Sequence, residues 1–448
     1  MKRQARCSLI LFITLLEGER KTMNREIIKN ERLGESYTKI QHKSGLTLLL
    51  YPLQGYSSAY ALFGTNFGSI NNTFKTAPDA PFTTVPAGVA HFLEHKMFEK
   101  EDGDAFAKYA KTGASANAFT SFDKTCYLFS CTQNFKPSLE ILLDLVTRPY
   151  FTKESVEKEQ GIIGQEIKMY DDSPDWRVLF NMLESLYQNH PVKIDIAGTV
   201  ESIAEITADT LYSCYNTFYN LRNMVLAIAG NFDIDTVLEC CDRMLPTAPE
   251  IQIENAPVIE PKEILSKRHV QKLDVATPLF SIGFKETPDD RAGFMKGDLL
   301  NEVILDVVAG ESSQTYRELY DAGLINQTFG TEVFSGEGYL CSIFSGESEN
   351  PDEVYRRLCE SIAEMKKTGL PKEEFERSKR CVYGRYVRAF ESVEILSSAM
   401  VTAHFGGCGI YDIVEMVANM TYEEANERFM NMLCESYGTV SIVNTTGN

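Results

Sequence analysis

The chain has 448 residues, of which 44% are hydrophobic and 24% are charged, and its formal net charge at pH 7 is −19. The length allows about two to four domains with sizeable cores, and the composition is that of an ordinary globular protein. The acidic excess argues against nucleic acid and anionic membrane surfaces as partners, because their phosphate groups would repel the chain.

The chain begins with a basic segment and a short apolar run from Cys7 to Leu16. This run is too short to span a bilayer, which takes about 20 apolar residues. Charged residues follow from Glu17 on, where a signal peptide would have small residues at its cleavage site. We interpret residues 1–22 as an over-extended start before Met23, with a signal-like segment as the alternative.

Strand and helix patterns alternate along the rest of the chain. Alternating apolar residues predict strands in GLTLLLYPL (45–53) and TCYLFSCTQ (125–133), and a helical pattern follows in KPSLEILLDLVTRP (136–149). PLFSIGFKET (278–287) and PDEVYRRLCESIAEMKK (351–367) repeat the alternation later in the chain. We expect an α+β protein in which helices pack on one face of an antiparallel-rich sheet.

A polar stretch with four prolines separates the two series of elements. These prolines are Pro246, Pro249, Pro257 and Pro261. Such punctuation is typical of an extended linker. We therefore predict a first domain at residues 23–245, a linker at 246–267 and a second domain at 268–448.

The ends of the two domains match each other. In each, a helix with a threonine at its N-cap, Thr207 or Thr421, precedes a strand that we expect to open at Val225 or Val440. The separation is 421 minus 207, or 214 residues, for the helices and nearly the same for the strands. The chain is therefore predicted to consist of two homologous halves.

The segment HFLEH (91–95) holds two of the six histidines of the chain. We predict that a helix starts at residues 86–88 and carries this segment. His91 and His95 would then lie on one helical face, a single turn apart, where both imidazoles can reach one cation. Glu94 would lie beside that cation, and its carboxylate could take a proton from activated water. The order His-x-x-Glu-His is the inverted form of a zinc-peptidase signature.

Zinc needs at least one further protein ligand, and the helix KESVEKEQGIIGQEIKMYDD (153–172) is rich in candidates. Glu159 and Glu166 are seven residues apart and therefore lie on one side of this helix. Spacing alone does not choose among its glutamates. Gly161 and Gly164 lie between these two, and we expect their bare backbone to let a second helix approach closely.

Together with these segments, GASANAFTSFDKTCYLF (113–129) and HPVKIDIAGTVESI (190–203) make the chain resemble the insulinase/pitrilysin family of zinc peptidases. The resemblance covers the chain from about residue 30 on. It is strongest to the short, two-domain bacterial members, which are akin to mitochondrial processing peptidases. It implies a clamshell of two homologous halves, in which the metal-free second half contributes to substrate binding.

The resemblance also implies the roles of the site residues. It implies one Zn²⁺ per chain bound by His91, His95 and Glu166. Glu94 would be the general base, and Glu159 would be a carboxylate behind the ligands that orients the site.

Substrate-binding residues follow from the same resemblance. The segment SANAFTS matches an edge strand on which the family holds its substrate as an added β-strand, through Asn117, Ala118 and Phe119. In the second half, TYRELYDAGLIN matches a substrate-gripping arginine with Arg317, but Leu324 stands where many members have a tyrosine. Tyr316 and Tyr320 are the alternatives for that missing tyrosine.

The expected function is that of a zinc metalloendopeptidase, a hydrolase of peptides or unfolded segments that uses zinc-bound water activated by Glu94. The alternative is a non-catalytic or partner-dependent subunit of a heterodimeric peptidase-like complex. The complete His-x-x-Glu-His set favours the enzyme. Besides the peptide substrate, the resemblance implies a homodimer or a heterodimer with a metal-free paralogue.

The other chemically distinctive residues indicate structure and location. The eleven cysteines contain no Cys-x-x-Cys pair, which is typical of reduced thiols in a cytoplasmic protein. We interpret Trp176 as core or hinge packing. The second half has no histidine in LLNEVILDVVAG (299–310), where the counterpart of the histidine helix would lie. The remaining histidines are interpreted as structural or surface residues: His42, His190, His269 and His404.

Overall fold

The computed structural model describes residues 24–288 and 293–446. The interpretation of residues 1–22 and of Met23 lies outside the described residues. The first half and the linker contain the strands β1 (Asn24–Asn30), β2 (Glu35–Gln41), β3 (Thr47–Pro52), β4 (Ala59–Thr65), β5 (Thr73–Lys75), β6 (Thr83–Thr84), β7 (Glu99–Lys100), β8 (Gly103–Asp104), β9 (Ser115–Thr120), β10 (Thr125–Cys131), β11 (Met224–Gly230) and β12 (Glu254–Asn255). The helices there are α1 (Val89–Phe98), α2 (Ala105–Thr112), α3 (Phe135–Thr147), α4 (Lys153–Asp171), α5 (Pro174–Leu186), α6 (Val200–Ala204), α7 (Ala208–Phe218) and α8 (Ile234–Met244).

The second half repeats this alternation. Its strands are β13 (Arg268–Leu273), β14 (Leu279–Lys285), β15 (Gly330–Gly336), β16 (Tyr339–Glu347) and β17 (Gly438–Thr445). Its helices are α9 (Phe294–Ala309), α10 (Gln314–Asp321), α11 (Pro351–Thr368), α12 (Lys372–Arg388), α13 (Val393–Phe405), α14 (Ile410–Asn419) and α15 (Tyr422–Asn431).

The two main sheets share one topology. The first has the order β1-β2-β3-β11-β4-β10-β9 and the second has β13-β17-β14-β16-β15. In each sheet one pair is parallel, β3 with β11 and β13 with β17, and the other neighbours are antiparallel. The second sheet therefore matches the last five strands of the first in order and direction. The prediction of two homologous α+β halves is confirmed.

One helix of each half packs against the sheet of the other half. Helix α5 packs on β14 and β17 of the second sheet, and α13 packs on β4 and β11 of the first. Glycines make room at both contacts: a Cβ on Gly64 would lie 2.9 Å from Val401 Cγ1, and one on Gly283 would lie 2.6 Å from Met182 Sδ. Each sheet thus has its own helices on one face, as predicted, and a helix from the other half on the opposite face.

The predicted ends of the halves are confirmed in kind and corrected in detail. Thr207 caps α7 and Thr421 caps α15, each through a side-chain oxygen that accepts a backbone N–H. The strands that follow open one residue before Val225 and two residues before Val440. The expected starts were late because the preceding residues already pair with β4 and β14.

The linker, residues 246–267, contains little regular structure beyond β12, which pairs with β5. It is nevertheless tied to both halves. The Glu260 carboxylate accepts backbone N–H groups from residues 188 to 190 and pairs with Lys285 Nζ at 2.5 Å. Because the side chains of Glu260 and Lys285 are only 8% and 4% exposed, this ion pair is a buried joint between linker and halves.

Among the residues described, no helix by itself is long and apolar enough to cross a membrane. Helices α13 and α14, which meet at 83°, satisfy the length and composition test only as a bent pair. The ten cysteines within the described ranges are all free thiols.

Candidate metal centre

Helix α1 carries the His-x-x-Glu-His segment. It begins after Gly88, whose φ of 88° lies in the left-handed region that favours glycine. Most of the helix is buried, and Phe92 and Leu93 have no exposed surface. The rings of His91 and His95 lie 4.6 Å apart between centroids. The predicted helix and the shared histidine face are thus confirmed, and the helix begins at Val89, directly after the expected start at residues 86–88.

Helix α4 brings Glu166 to the two histidines. His91 Nε2 lies 3.6 Å from Glu166 Oε1, and His95 Nε2 lies 3.4 Å from Glu166 Oε2. Within the described ranges these three residues are the one cluster of histidine, cysteine or carboxylate side chains that could hold a metal ion. Tetrahedral zinc with bonds of about 2.0–2.1 Å keeps its ligand atoms about 3.3–3.5 Å apart. The spacing and the donor set therefore fit zinc.

His91 directs Nε2 towards Glu166 and keeps it free to bind a metal ion. Its imidazole is buried, and neither ring nitrogen makes a hydrogen bond within the described part of the chain; Nδ1 is fully buried and unpartnered. Burial, followed by the neighbouring His95, lowers the pKa of His91 to about 4. His91 is therefore neutral at pH 7, which is the form that binds a metal ion.

Glu159 holds His95 from behind. Its Oε1 lies 3.0 Å from His95 Nδ1, which leaves His95 Nε2 directed towards Glu166. Burial alone would lower the pKa of His95, but the hydrogen bond with Glu159 and the nearby carboxylates outweigh it and raise that pKa. Burial likewise raises the pKa of Glu159, and the hydrogen bond from His95 reverses this into a net lowering. A carboxylate in this position fixes the tautomer and the orientation of a ligating histidine.

Glu94 lies next to the cluster without being part of it. Thr120 Oγ1, at the end of β9, donates a hydrogen bond of 2.7 Å to Glu94 Oε2. Burial raises the pKa of Glu94. Because Thr120 holds one oxygen in place, the other oxygen of this carboxylate is available to accept a proton.

The expected role of the glycines in α4 is wrong. A Cβ added to Gly161 or Gly164 would meet no atom within 4 Å, so the missing side chains are not what lets α1 and α4 approach. The two helices meet through side chains instead. The fully buried Lys96 of α1, for example, reaches the carbonyl oxygen of Ser155 in α4 at 3.4 Å.

The residues expected to bind substrate are placed in two regions. Asn117, Ala118 and Phe119 lie on β9, the terminal strand of the first sheet, where Asn117 is exposed. Arg317 is exposed on α10, and no hydrogen bond or ion pair within the described residues holds its side chain. Leu324 is half-buried against the core of the second half.

The two alternatives to a tyrosine at position 324 lie side by side. The rings of Tyr316 and Tyr320 stack at 5.9 Å on α10, and Tyr320 is the more exposed of the two. The structure brings neither Arg317 nor these tyrosines into contact with the metal cluster.

Two residues that contact the cluster or the neighbouring Glu94 were not among the sequence candidates. One is Thr120, described above. The other is Tyr170, whose hydroxyl donates a hydrogen bond of 2.7 Å to Glu166 Oε1. A sequence signal for Tyr170 existed, because it lies one helical turn after Glu166.

The remaining histidines have other surroundings. His42 bonds to Ser44 and Asp242, and His190 bonds to the carbonyl oxygen of Glu337, so these two have structural partners. His269 lies on β13 and His404 on α13.

Comparisons with known proteins place the site in a family. A family model described as insulinase (peptidase family M16) matches residues 83–200, and one described as peptidase M16 inactive domain matches residues 205–381. The uncharacterized zinc protease YmfH of Bacillus subtilis strain 168 is 38% identical over 405 residues, which cover 89% of this chain and 94% of that protein. The uncharacterized zinc protease YmxG of the same organism is 25% identical over 311 residues, or 68% and 75% of the two chains.

Solved structures agree. One described as an M16-like peptidase from Alicyclobacillus acidocaldarius has a TM-score of 0.85 at 34% identity and covers 95% of this chain and 99% of its own. A protease from Helicobacter pylori has a TM-score of 0.77 at 17% identity, covers 94% and 99%, and supports the fold alone. The agreement in sequence with the zinc protease YmfH extends over nearly the whole of both chains. This chain therefore belongs to the insulinase family of M16 peptidases and has the two-domain clamshell fold of its structural relatives.

Proposed function

We propose that the chain is a zinc metalloendopeptidase that hydrolyses peptides or unfolded segments and binds one Zn²⁺. The observation that carries this proposal is the convergence of His91, His95 and Glu166 with a buried carboxylate, Glu94, at their side. Relatives that are named as zinc proteases support the choice of metal.

Glu94 is the base of the proposed reaction. Bound zinc supplies Lewis acidity, which lowers the pKa of a water molecule and polarises a peptide carbonyl. The free oxygen of Glu94 accepts the proton that the attacking water loses and returns it to the leaving amine. Thr120 keeps the carboxylate in one rotamer, and Glu159 holds His95 with Nε2 directed towards Glu166.

The proposed substrate is an extended peptide that adds to the edge of the first sheet. The outer edge of β9 has no neighbouring strand among the described residues, and it ends at Thr120, which contacts the base. Strand addition along Asn117, Ala118 and Phe119 would bind the peptide through its main chain, with little sequence preference. Arg317 would contribute to the grip from the second half.

We also propose that the chain works as a homodimer or with a metal-free paralogue, and that it is cytoplasmic. A second chain is proposed because the outer edge of β9 has no neighbouring strand among the described residues. That chain could close over a peptide bound there. The location is supported by the cysteines, because the ten within the described residues are all free thiols.

The test is cleavage of a mixed fluorogenic peptide set by the purified chain with zinc. Wild type should cleave, and Glu94→Gln should lower kcat by about 10²- to 10⁴-fold because the general base is lost. Zinc content, measured on the same samples, should be unchanged because the ligands remain. Wild-type turnover by Glu94→Gln would refute the assigned base. A zinc-loaded chain that cleaves nothing alone would favour the second candidate, a partner-dependent or non-catalytic subunit.

A further inference from the structure

The zinc site proposed above has a support that the ligand set does not include. Tyr170 lies one turn after Glu166 on α4, and its hydroxyl donates a hydrogen bond of 2.7 Å to Glu166 Oε1. The two oxygens of this carboxylate also face the two histidines, at 3.6 and 3.4 Å. A glutamate has several rotatable bonds, so a fixed donor on one oxygen decides where the other oxygen lies.

Tyr170 is itself held in place by the next helix. Its ring stacks on Trp176, at the start of α5, with 4.8 Å between centroids and 20° between planes. Trp176 Nε1 donates a hydrogen bond of 2.5 Å to Asp195 Oδ2, and Asp195 Oδ1 accepts the backbone N–H of Ala197 at 2.9 Å. The sole tryptophan of the chain therefore packs behind a residue that touches a metal ligand, rather than only in the core.

The loop that starts at Asp195 returns to the histidine helix. A Cβ on Gly88 would lie 2.4 Å from the Ala197 carbonyl oxygen, and one on Gly198 would lie 2.5 Å from that of Ala87. The two glycines thus let this loop and the start of α1 touch backbone to backbone. Ser202 Oγ strengthens the contact by donating a hydrogen bond of 2.9 Å to the Ala87 carbonyl oxygen.

These contacts connect the helix that carries Glu166 with the helix that carries both histidines. The series runs from Glu166 on α4 through Tyr170, Trp176 and Asp195 to the N-terminus of α1. Such a connection determines the distance and the angle between the two helices that supply the ligands. A metal site needs such support, because ligand atoms that are free to turn bind an ion more weakly.

We propose that Tyr170 is a positioning residue for the zinc ligand Glu166, and that Trp176 and Asp195 hold Tyr170 in place. The inference rests on the proposed zinc site and adds to it a determinant of metal affinity. The role is specific: the hydroxyl of Tyr170 orients the carboxylate, while its ring supplies the packing.

The test separates these two contributions by replacing Tyr170 with phenylalanine, which keeps the stacking ring and removes the hydroxyl. Zinc affinity is measured by competition with a chromophoric chelator, and the thermal unfolding midpoint is measured on metal-free protein. The matched control is Tyr215→Phe, which removes a hydroxyl that bonds to the Val146 carbonyl oxygen elsewhere in the first half.

We expect Tyr170→Phe to raise the zinc dissociation constant about 10- to 100-fold, the usual effect of removing a group that holds a metal ligand. Tyr215→Phe should leave the constant unchanged, and Tyr170→Phe should not lower the unfolding midpoint of the metal-free protein more than the control does. A dissociation constant within about twofold of wild type would overturn the inference, because removing a true support has a larger effect. A weaker affinity that appears only with general destabilisation would overturn it as well.

If wild type itself binds no zinc, both the proposed function and this inference fail. If wild type binds zinc and Tyr170→Phe binds it equally well, only the inference fails.

Discussion

The two halves of the molecule place different chemistry on one frame. In the first half, α1, which is the first helix after β4, carries the histidine pair, and α4 supplies Glu166. In the second half, the corresponding helix α9 carries Asp298 and Glu302, which have the same four-residue spacing as the histidines. The helix α12, which corresponds to α4, supplies Arg385. A pair of imidazoles facing the carboxylate of Glu166 thus corresponds to the carboxylate of Glu302 paired with a guanidinium.

The difference lies in the side chains that surround the glutamate of each half. Arg385 pairs with Glu302 at 3.0 Å, and the Tyr386 hydroxyl donates to the same carboxylate at 2.9 Å, so the second half neutralises this carboxylate with its own side chains. Among the described residues no lysine or arginine pairs with Glu166, which faces the two histidines instead, and the buried His91 has no hydrogen-bond partner there. A fold shared by two halves therefore does not carry a shared function, which depends on the few side chains at the site.

The strongest way to break this comparison is to remove the corresponding glutamate from each half. Glu166→Ala should weaken zinc binding by more than about 100-fold and abolish cleavage, because loss of an outer support alone costs about 10- to 100-fold. Glu302→Ala should leave zinc affinity unchanged, because Glu302 pairs with Arg385 and Tyr386 and is not one of the proposed zinc ligands. Isothermal titration with zinc and peptide turnover are the measurements. Equal zinc binding by the two variants would refute the assignment of the ligand to the first half.

A second prediction ranks the carboxylates within α4. Glu159→Ala should weaken zinc binding by about 10- to 100-fold, less than Glu166→Ala, because Glu159 acts through its hydrogen bond to His95. Glu157→Ala is the matched control, since Glu157 is exposed on the same helix and, in the described part of the chain, pairs only with Lys153, at 3.8 Å. The measurement is competition with a chelator for zinc. If Glu159→Ala loses as much affinity as Glu166→Ala, the distinction between ligand and support is wrong.

These assignments show how far the sequence alone reaches. The histidine pair could be predicted because both residues lie on one helix, where spacing determines the face. The exchange of α5 and α13 between the sheets could not, since an apolar helical face does not specify which sheet it covers. Tyr170 could have been found from its spacing to Glu166. Thr120 could not, because its contact with Glu94 depends on how β9 packs against α1, which no local pattern encodes.

The glycines of α4 show the opposite failure, in which a pattern indicated too much. Gly161 and Gly164 lie between two glutamates that face the histidines, and a close helix contact was expected there. Their sides of α4 have open space instead. Glycine removes a steric obstacle, but other side chains decide whether a neighbour uses the space. The prediction failed because a glycine allows a close helix contact but does not require one.

A third prediction concerns what the second half contributes to substrate binding. Arg317→Ala should raise KM about threefold to tenfold, equivalent to the loss of about 1 kcal/mol of binding, with zinc content unchanged. The control is Arg388→Ala, which removes another exposed arginine of the second half. Steady-state cleavage of the best peptide substrate is the measurement. An unchanged KM and kcat would remove Arg317 from the substrate grip and leave the second half with a structural role alone.

The smallest expected effect tests whether Arg385 replaces a metal in the second half. Burial raises the pKa of Glu302, and Arg385 opposes that rise. Without the guanidinium, this pKa should rise further, so the folded state should bear a larger penalty wherever Glu302 must ionise. Because the Arg385 side chain is 58% exposed, solvent screens the pair, and Arg385→Met should cost only about 0.5–1 kcal/mol at pH 8. The loss should shrink as the pH is lowered from 8 towards the raised pKa of Glu302, because protonated Glu302 no longer needs a cation. Thermal unfolding midpoints of metal-free protein, with Arg388→Met as the control, measure it. A loss that is constant over this pH range would show that Arg385 stabilises the second half by packing rather than by charge, and the comparison between guanidinium and metal ion would fail.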